Sequence, residues 1–150
     1  MSSPLKKLFI NAIKHAAIFS MLFQTQLYAA EIDYLRPDGT TNTVIDRAPN
    51  NTPIVNVAAP TAGGVSMNNF DRYNVTAENQ IVNNHKGETV NTNLAGAIYG
   101  NPNYIPNGVN EARIIVMQTT SNNASEIKGY VEIAGRNAEL IISNPNGIYI

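Results

Sequence analysis

The residues able to do chemistry are few and scattered. The chain of 150 residues has two histidines and no cysteine. His15 and His85 have no second histidine or cysteine to share a metal with, so no zinc site is expected. Ser66, His85 and Asp71 can be written as nucleophile, base and acid, yet no nucleophile elbow surrounds the serine. Gly63-Gly64 has the composition of a turn and not of a phosphate-cradling loop. Glu132 and Glu139 are the carboxylates that a polysaccharide-cleaving enzyme could use, but strand parity sets Glu132 opposite Val131 and Ile133, toward solvent. Glycosylation-type triplets at Asn50, Asn74 and Asn123 arise readily in an asparagine-rich chain. No cofactor is called for, and the chain reads as a non-enzyme.

What the sequence does repeat is a turn. Asn101-Pro102-Asn103 and Asn144-Pro145-Asn146 stand 43 residues apart, the second followed by Gly147 and Ile148. Asparagine at the first position accepts from the backbone, proline presets φ at the second, and asparagine suits the third, as a type I turn requires. The second turn stands between the apolar runs AELIIS and GIYI. It would corner the chain between strands of one core. A spacing of 43 residues would fit about two coils of a β-helix with three strands per coil.

The elements that must hold these turns are short strands. About one residue in six beyond Ala30 is asparagine, and Leu, Lys and Glu are scarce. Asparagine is depleted from strands and favoured in turns, so many short strands with tight connections are expected. From Glu31 to Gly64 the chain is loop-rich, with one apolar run, Ile54-Val55-Asn56-Val57. After Val65 β-prone runs recur at Tyr73–Val75, Ile81-Val82, Ala112–Thr120, Gly129–Ala134, Ala138–Ser143 and Gly147–Ile150. Val131, Ile133, Leu140, Ile142, Ile148 and Ile150 alternate as half-buried strands demand. Such short strands cannot build a wide sheet; they suit an all-β solenoid with an internal aliphatic ladder, with a two-sheet sandwich as the alternative.

Residues 1–30 read as a signal peptide. Lys6, Lys7 and Lys14 supply charge, Ala16–Phe23 form an apolar run too short to span a bilayer, and cleavage is expected after Ala29 or Ala30. Beyond the leader, the seven remaining basic residues face eleven acids, a balance of about −4. With no basic cluster, nucleic acid is not an expected partner.

The segments PIVNVAAPTAGGVSMNNFDRYNVTAENQIVNN, GAIYGNPNY and EARIIVMQTTSNNASEIKGYVEIAGRNAELIISNPNGI together resemble, in order and spacing, the N-terminal secretion domain of the filamentous haemagglutinin family, which includes contact-dependent growth-inhibition exoproteins. The resemblance covers nearly all of the chain beyond the leader. It implies a right-handed parallel β-helix with an N-terminal cap, incomplete at the C-terminus, with residues 31–64 as the cap and 65–150 as the first coils. It implies export by the general secretory machinery into the periplasm. There an outer-membrane two-partner secretion transporter would recognise the domain through its periplasmic domains, and the chain would pass to the cell surface or medium.

The family's two asparagine motifs, tied to secretion competence, fall on Asn101, Pro102, Asn103 and on Asn144, Pro145, Asn146, Gly147, Ile148. Tyr104 departs from the leucine usual there. The transporter contact is expected to add an exposed strand to the partner, with folding completed at the surface. Family members run far beyond this length, so the chain reads as a fragment, a truncated frame or a non-functional relic. The regions expected downstream, an adhesin or toxin, would meet the host or neighbouring-cell surface. Residues 31–150 alone are expected to be marginally stable, because an open final coil leaves unpaired edges.

Overall fold

The computed structural model describes residues 32–104 and 108–150, so the leader and its cleavage site lie outside the described residues. All regular structure described is strand. In chain order these are β1 (Leu35–Pro37), β2 (Val44–Arg47), β3 (Pro53–Asn56), β4 (Val65–Tyr73), β5 (Gln80–Asn84), β6 (Thr89–Thr92), β7 (Gly96–Tyr99), β8 (Ile114–Thr119), β9 (Ser125–Glu126), β10 (Val131–Gly135), β11 (Glu139–Ser143) and β12 (Ile148–Tyr149).

The chain winds as a parallel β-helix with three faces. On the first, β4, β8 and β11 stack in parallel. On the second, β3, β5 and β10 do the same. The third is the pair β9 and β12, extended by a parallel bridge between Val75 and Ile127. The two N-terminal strands close the stack by running against it: β1 pairs antiparallel with β4, and β2 antiparallel with β3. Reversed pairing covers edges that would otherwise be open templates. The parallel stack begins at β3, within residues 31–64, which the resemblance implies as the cap.

The register turns alternation into ladders. On the first face Ser66, Ile115 and Leu140 align, as do Asn68, Met117 and Ile142. On the second, Val55, Val82 and Ile133 form the inner row. These side chains meet Phe70, Tyr73, Val75 and Tyr104 in the principal core. Phe70 and Tyr73 pack with ring centroids 5.0 Å apart, and Tyr73 donates to Gln80 Oε1 at 2.7 Å. Burying a side chain the size of Phe70 contributes about 2–3 kcal/mol. At Gly129 one coil passes so near the previous one that no side chain fits: a Cβ there would stand 2.1 Å from the Thr76 carbonyl oxygen.

Two expectations need correction. Asparagine is not confined to turns, since Asn56, Asn68, Asn83 and Asn84 are buried within strands. Each has side-chain hydrogen bonds in the interior, from the one that Asn56 Oδ1 accepts to the four that Asn84 makes, which offset the cost of burying an amide. Asn68, for example, accepts from Thr43 Oγ1 and the Ala58 N–H, and so ties the cap to the first coil. The spacing of 43 residues is also not two coils. Ile114 and Glu139 are one coil apart, but Val65 and Ile114, likewise one coil apart, are separated by roughly twice the chain. The excess is an insertion holding the antiparallel hairpin β6–β7.

That hairpin lies outside the coil and builds a second, smaller core. Ile98, with Val90, Leu94 and Ala95, packs on Ile54, Ile81 and Ala134 of the outward side of the second face. Its tip is held from two sides. Asn50 Nδ2 donates to the Leu94 carbonyl at 2.9 Å. Glu132 accepts from the N–H groups of Asn93 and Leu94 and from Asn93 Nδ2. Parity correctly turns Glu132 outward, yet the hairpin and not solvent meets its carboxylate.

Candidate functional site

Each asparagine turn is assembled by the same local bonds. In the first, Asn101 Oδ1 accepts from the Asn103 N–H at 2.9 Å, and the Asn101 carbonyl accepts from the Tyr104 N–H at 3.0 Å. In the second, Asn144 Oδ1 accepts from the Asn146 N–H at 2.9 Å, and the Asn144 carbonyl accepts from the Gly147 N–H at 3.2 Å. Gly147 has φ of +108°, a conformation costly for any residue with a Cβ.

The surroundings differ. Asn101 is fully buried and stands at the corner where the second face ends. Its Nδ2 donates to the carbonyls of Val57 and Asn83, at 2.8 and 2.9 Å, and its N–H donates to the His85 carbonyl. Asn103 Nδ2 donates to Asn42 and Val57 carbonyls. One turn therefore binds the cap, β3 and β5 together. Pro102 alone of the three is exposed.

Tyr104 completes this corner. Its ring is buried and its hydroxyl donates to Asn84 Oδ1 at 2.8 Å. Burial drives the phenol pKa upward, so the hydroxyl remains a donor. Asn84 in turn accepts from the Ala112 N–H and donates to the carbonyls of Ala112 and Arg136. All four capacities of this amide are used, pinning the starts of two successive coils. Composition gave no sign of this role.

Asn144 lies at a different corner, after β11, and is only half-buried. Its Nδ2 donates to the Asn123 carbonyl and Ser125 Oγ, both at 2.9 Å, and Asn146 Nδ2 donates to the Ser121 carbonyl at 2.7 Å. These partners all belong to the equivalent corner one coil earlier. Pro145, Asn146 and Ile148 are exposed. The two motifs thus occupy separate corners of the helix and do not form one joint site.

The catalytic candidates are not brought together. Ser66 faces the coil interior and donates to the Ala58 carbonyl, Asp71 pairs with Arg36, and neither bonds to His85. Glu132 and Glu139 stand on different outer faces, with Glu139 in the row of Val65 and Ile114. Among the described residues no group of three His, Cys, Asp or Glu could hold a metal. The glycosylation-type asparagines serve the fold: Asn74 Oδ1 accepts from the Glu126 N–H, and Asn123 Nδ2 donates to the Asp71 carbonyl.

The chain is similar to known proteins. The family profile described as the TPS secretion domain matches residues 33–150. The 16S rRNA endonuclease CdiA of Enterobacter cloacae is 40% identical over 134 residues, which are 89% of this chain and 4% of that protein. The filamentous hemagglutinin of Bordetella pertussis is 36% identical over 116 residues, 77% of this chain and 3% of that protein. The crystal structure of the filamentous hemagglutinin secretion domain superposes with a TM-score of 0.67 at 36% identity, over 76% of this chain and 36% of that one. The chain therefore spans only a few per cent of the length of the curated relatives it matches.

Proposed function

The chain belongs to the TPS secretion domain family, and from that premise we propose that it is recognised in the periplasm by the periplasmic domains of an outer-membrane transporter and directs passage of the protein it heads. It is a two-partner secretion domain and is not itself catalytic; proteins carrying it are exported to the cell surface or medium. The observation that carries the recognition step is the pair of corner turns, which hold their own amides in the fold and leave Pro102, Pro145, Asn146 and Ile148 outward. Residues 1–30 serve as the first address, to the general secretory machinery. Residues 31–150 serve as the second. Any adhesin or toxin activity belongs to regions beyond this chain.

The test is export of the full-length exoprotein from cells with and without the partner transporter. Deleting residues 33–150 should leave the protein in the periplasm although the transporter is present. Release that is indifferent to the transporter, or to the deletion, would refute the proposal.

A further inference from the structure

The second turn contains two residues able to react with each other. Asn146 is exposed and is followed directly by Gly147. In an unconstrained chain the backbone nitrogen of a glycine can attack Cγ of a preceding asparagine, because no Cβ on the glycine hinders the approach. A bond forms between that nitrogen and Cγ, the Cγ–Nδ2 bond breaks, and Nδ2 leaves as ammonia with the proton that the backbone nitrogen gives up. The five-membered imide so formed is opened by water, at one carbonyl to aspartate or at the other to isoaspartate. Water is the co-reactant, ammonia the product released, and nothing is oxidised or reduced.

The wound turn holds the two groups apart. Asn146 keeps a negative φ, and the Gly147 N–H donates to the Asn144 carbonyl at 3.2 Å. These features make the turn type I, in which the third residue has ψ of about 0°. At that angle the Gly147 nitrogen is rotated about the Cα–C bond well away from Cβ, whereas the ring requires the two to be nearly eclipsed. The leaving group is held as well: Asn146 Nδ2 donates to the Ser121 carbonyl at 2.7 Å and to Asn144 Oδ1 at 3.0 Å. Reaction therefore has to await a local opening of the corner.

We propose that Asn146 is a site of spontaneous deamidation in the unwound chain, that closure of the second turn protects it, and that reaction beforehand prevents closure. Aspartate at this position has no donor for the Ser121 carbonyl and sets a carboxylate among acceptors only. Isoaspartate lengthens the main chain by one carbon and takes the Gly147 N–H out of reach of the Asn144 carbonyl. The third face depends on that path: the Gly147 carbonyl accepts from the Ser125 N–H at 3.0 Å, and the Tyr149 carbonyl from the Ile127 N–H at 2.8 Å. The pair thus limits how long the chain can stay unwound and still close this corner. The first turn carries no such limit, since the bulky Tyr104 follows Asn103. The inference goes beyond the transporter reading and does not rest on it.

The experiment follows deamidation by peptide mapping and mass spectrometry in the exported full-length exoprotein, kept either native or in strong denaturant. In denaturant Asn146 should react as fast as Asn107, which also precedes a glycine, and Asn103 should lag far behind. In the native protein Asn146 should react roughly tenfold more slowly or less. Asn144→Ala removes the acceptor shared by the Asn146 N–H and Nδ2, and should raise the native rate roughly fivefold. Asn146→Asp, which reproduces one product, should speed amide exchange at Ser125 and Ile127 in the native protein. Equal rates at Asn146 in native and denatured protein, or no acceleration in Asn144→Ala, would overturn the protection. Unchanged exchange in Asn146→Asp would overturn the consequence for closure.

Discussion

The two asparagine turns share three residue types and the same internal bonds, but one is a keystone and the other a latch. Asn101 is buried and its amide joins segments distant in sequence, at Val57 and Asn83. Asn144 is half-buried and its amide reaches only the corner beneath it, at Asn123 and Ser125. A motif repeated in sequence need not repeat a role, because its contribution is set by what lies around it. The first turn adds side-chain bonds at the corner where the second face and the cap, already joined by the pairing of β2 with β3, come together. The second closes a corner that already exists and presents its remaining surface outward.

The comparison breaks most readily at the keystone. Asn101→Ala removes the side-chain donor to the Asn83 carbonyl, one of the two side-chain donors to the Val57 carbonyl and the acceptor for the Asn103 N–H, an expected loss of roughly 2–4 kcal/mol. Chemical unfolding of the exported chain should show a much lower midpoint. Tyr104→Phe keeps the ring and deletes one bond to Asn84, with an expected loss of about 1–2 kcal/mol in the same measurement. Asn144→Ala, at a corner open to water, should cost about 1 kcal/mol or less. Finding equal losses at Asn101 and Asn144 would erase the distinction.

The external hairpin gives a local test. Glu132→Ala removes the acceptor shared by three donors at its tip, and amide exchange at Asn93 and Leu94 should rise while the inner ladders stay protected. Spread of fast exchange into β5 would mean that the hairpin supports the coil itself.

The smallest effect is one of pH. Glu78 accepts from the Tyr34 hydroxyl and pairs with Arg47, and these partners hold its carboxyl below the ordinary 4.5. The unfolded chain then binds more protons than the folded one in this range. The stabilisation is complete above the ordinary value and is lost as pH falls through the lowered one. Glu78→Gln should flatten that acid limb of the unfolding midpoint.

What could be read from the sequence was whatever depends on near neighbours. Alternation placed Leu140, Ile142, Val131 and Ile133 inward because period two is a local property of a strand, whereas Ile148 and Ile150, set inward by the same pattern, are exposed. The turns at Asn101 and Asn144 were legible for the same reason; the parallel β-helix was an implication of the family resemblance carried by the quoted segments. The hairpin was not. Thr89–Thr92 and Gly96–Tyr99 each bury little, and the surface they cover, Ile54, Ile81 and Ala134, is assembled from three different coils. Asn84 escaped for a related cause: its four partners come from Tyr104, Ala112 and Arg136, none of them close in sequence. Asn56 and Asn83 look like turn residues until the register stacks them side by side inside a sheet, where the amide of one donates to the other.

The measurement that bears most directly on the account pairs unfolding with export for two variants of the full-length exoprotein. Asn101→Ala should lose stability and export together. Asn144→Ala should keep nearly all its stability and still be exported poorly through the transporter. Undiminished export of Asn144→Ala would contradict the account and leave the second turn a purely structural corner.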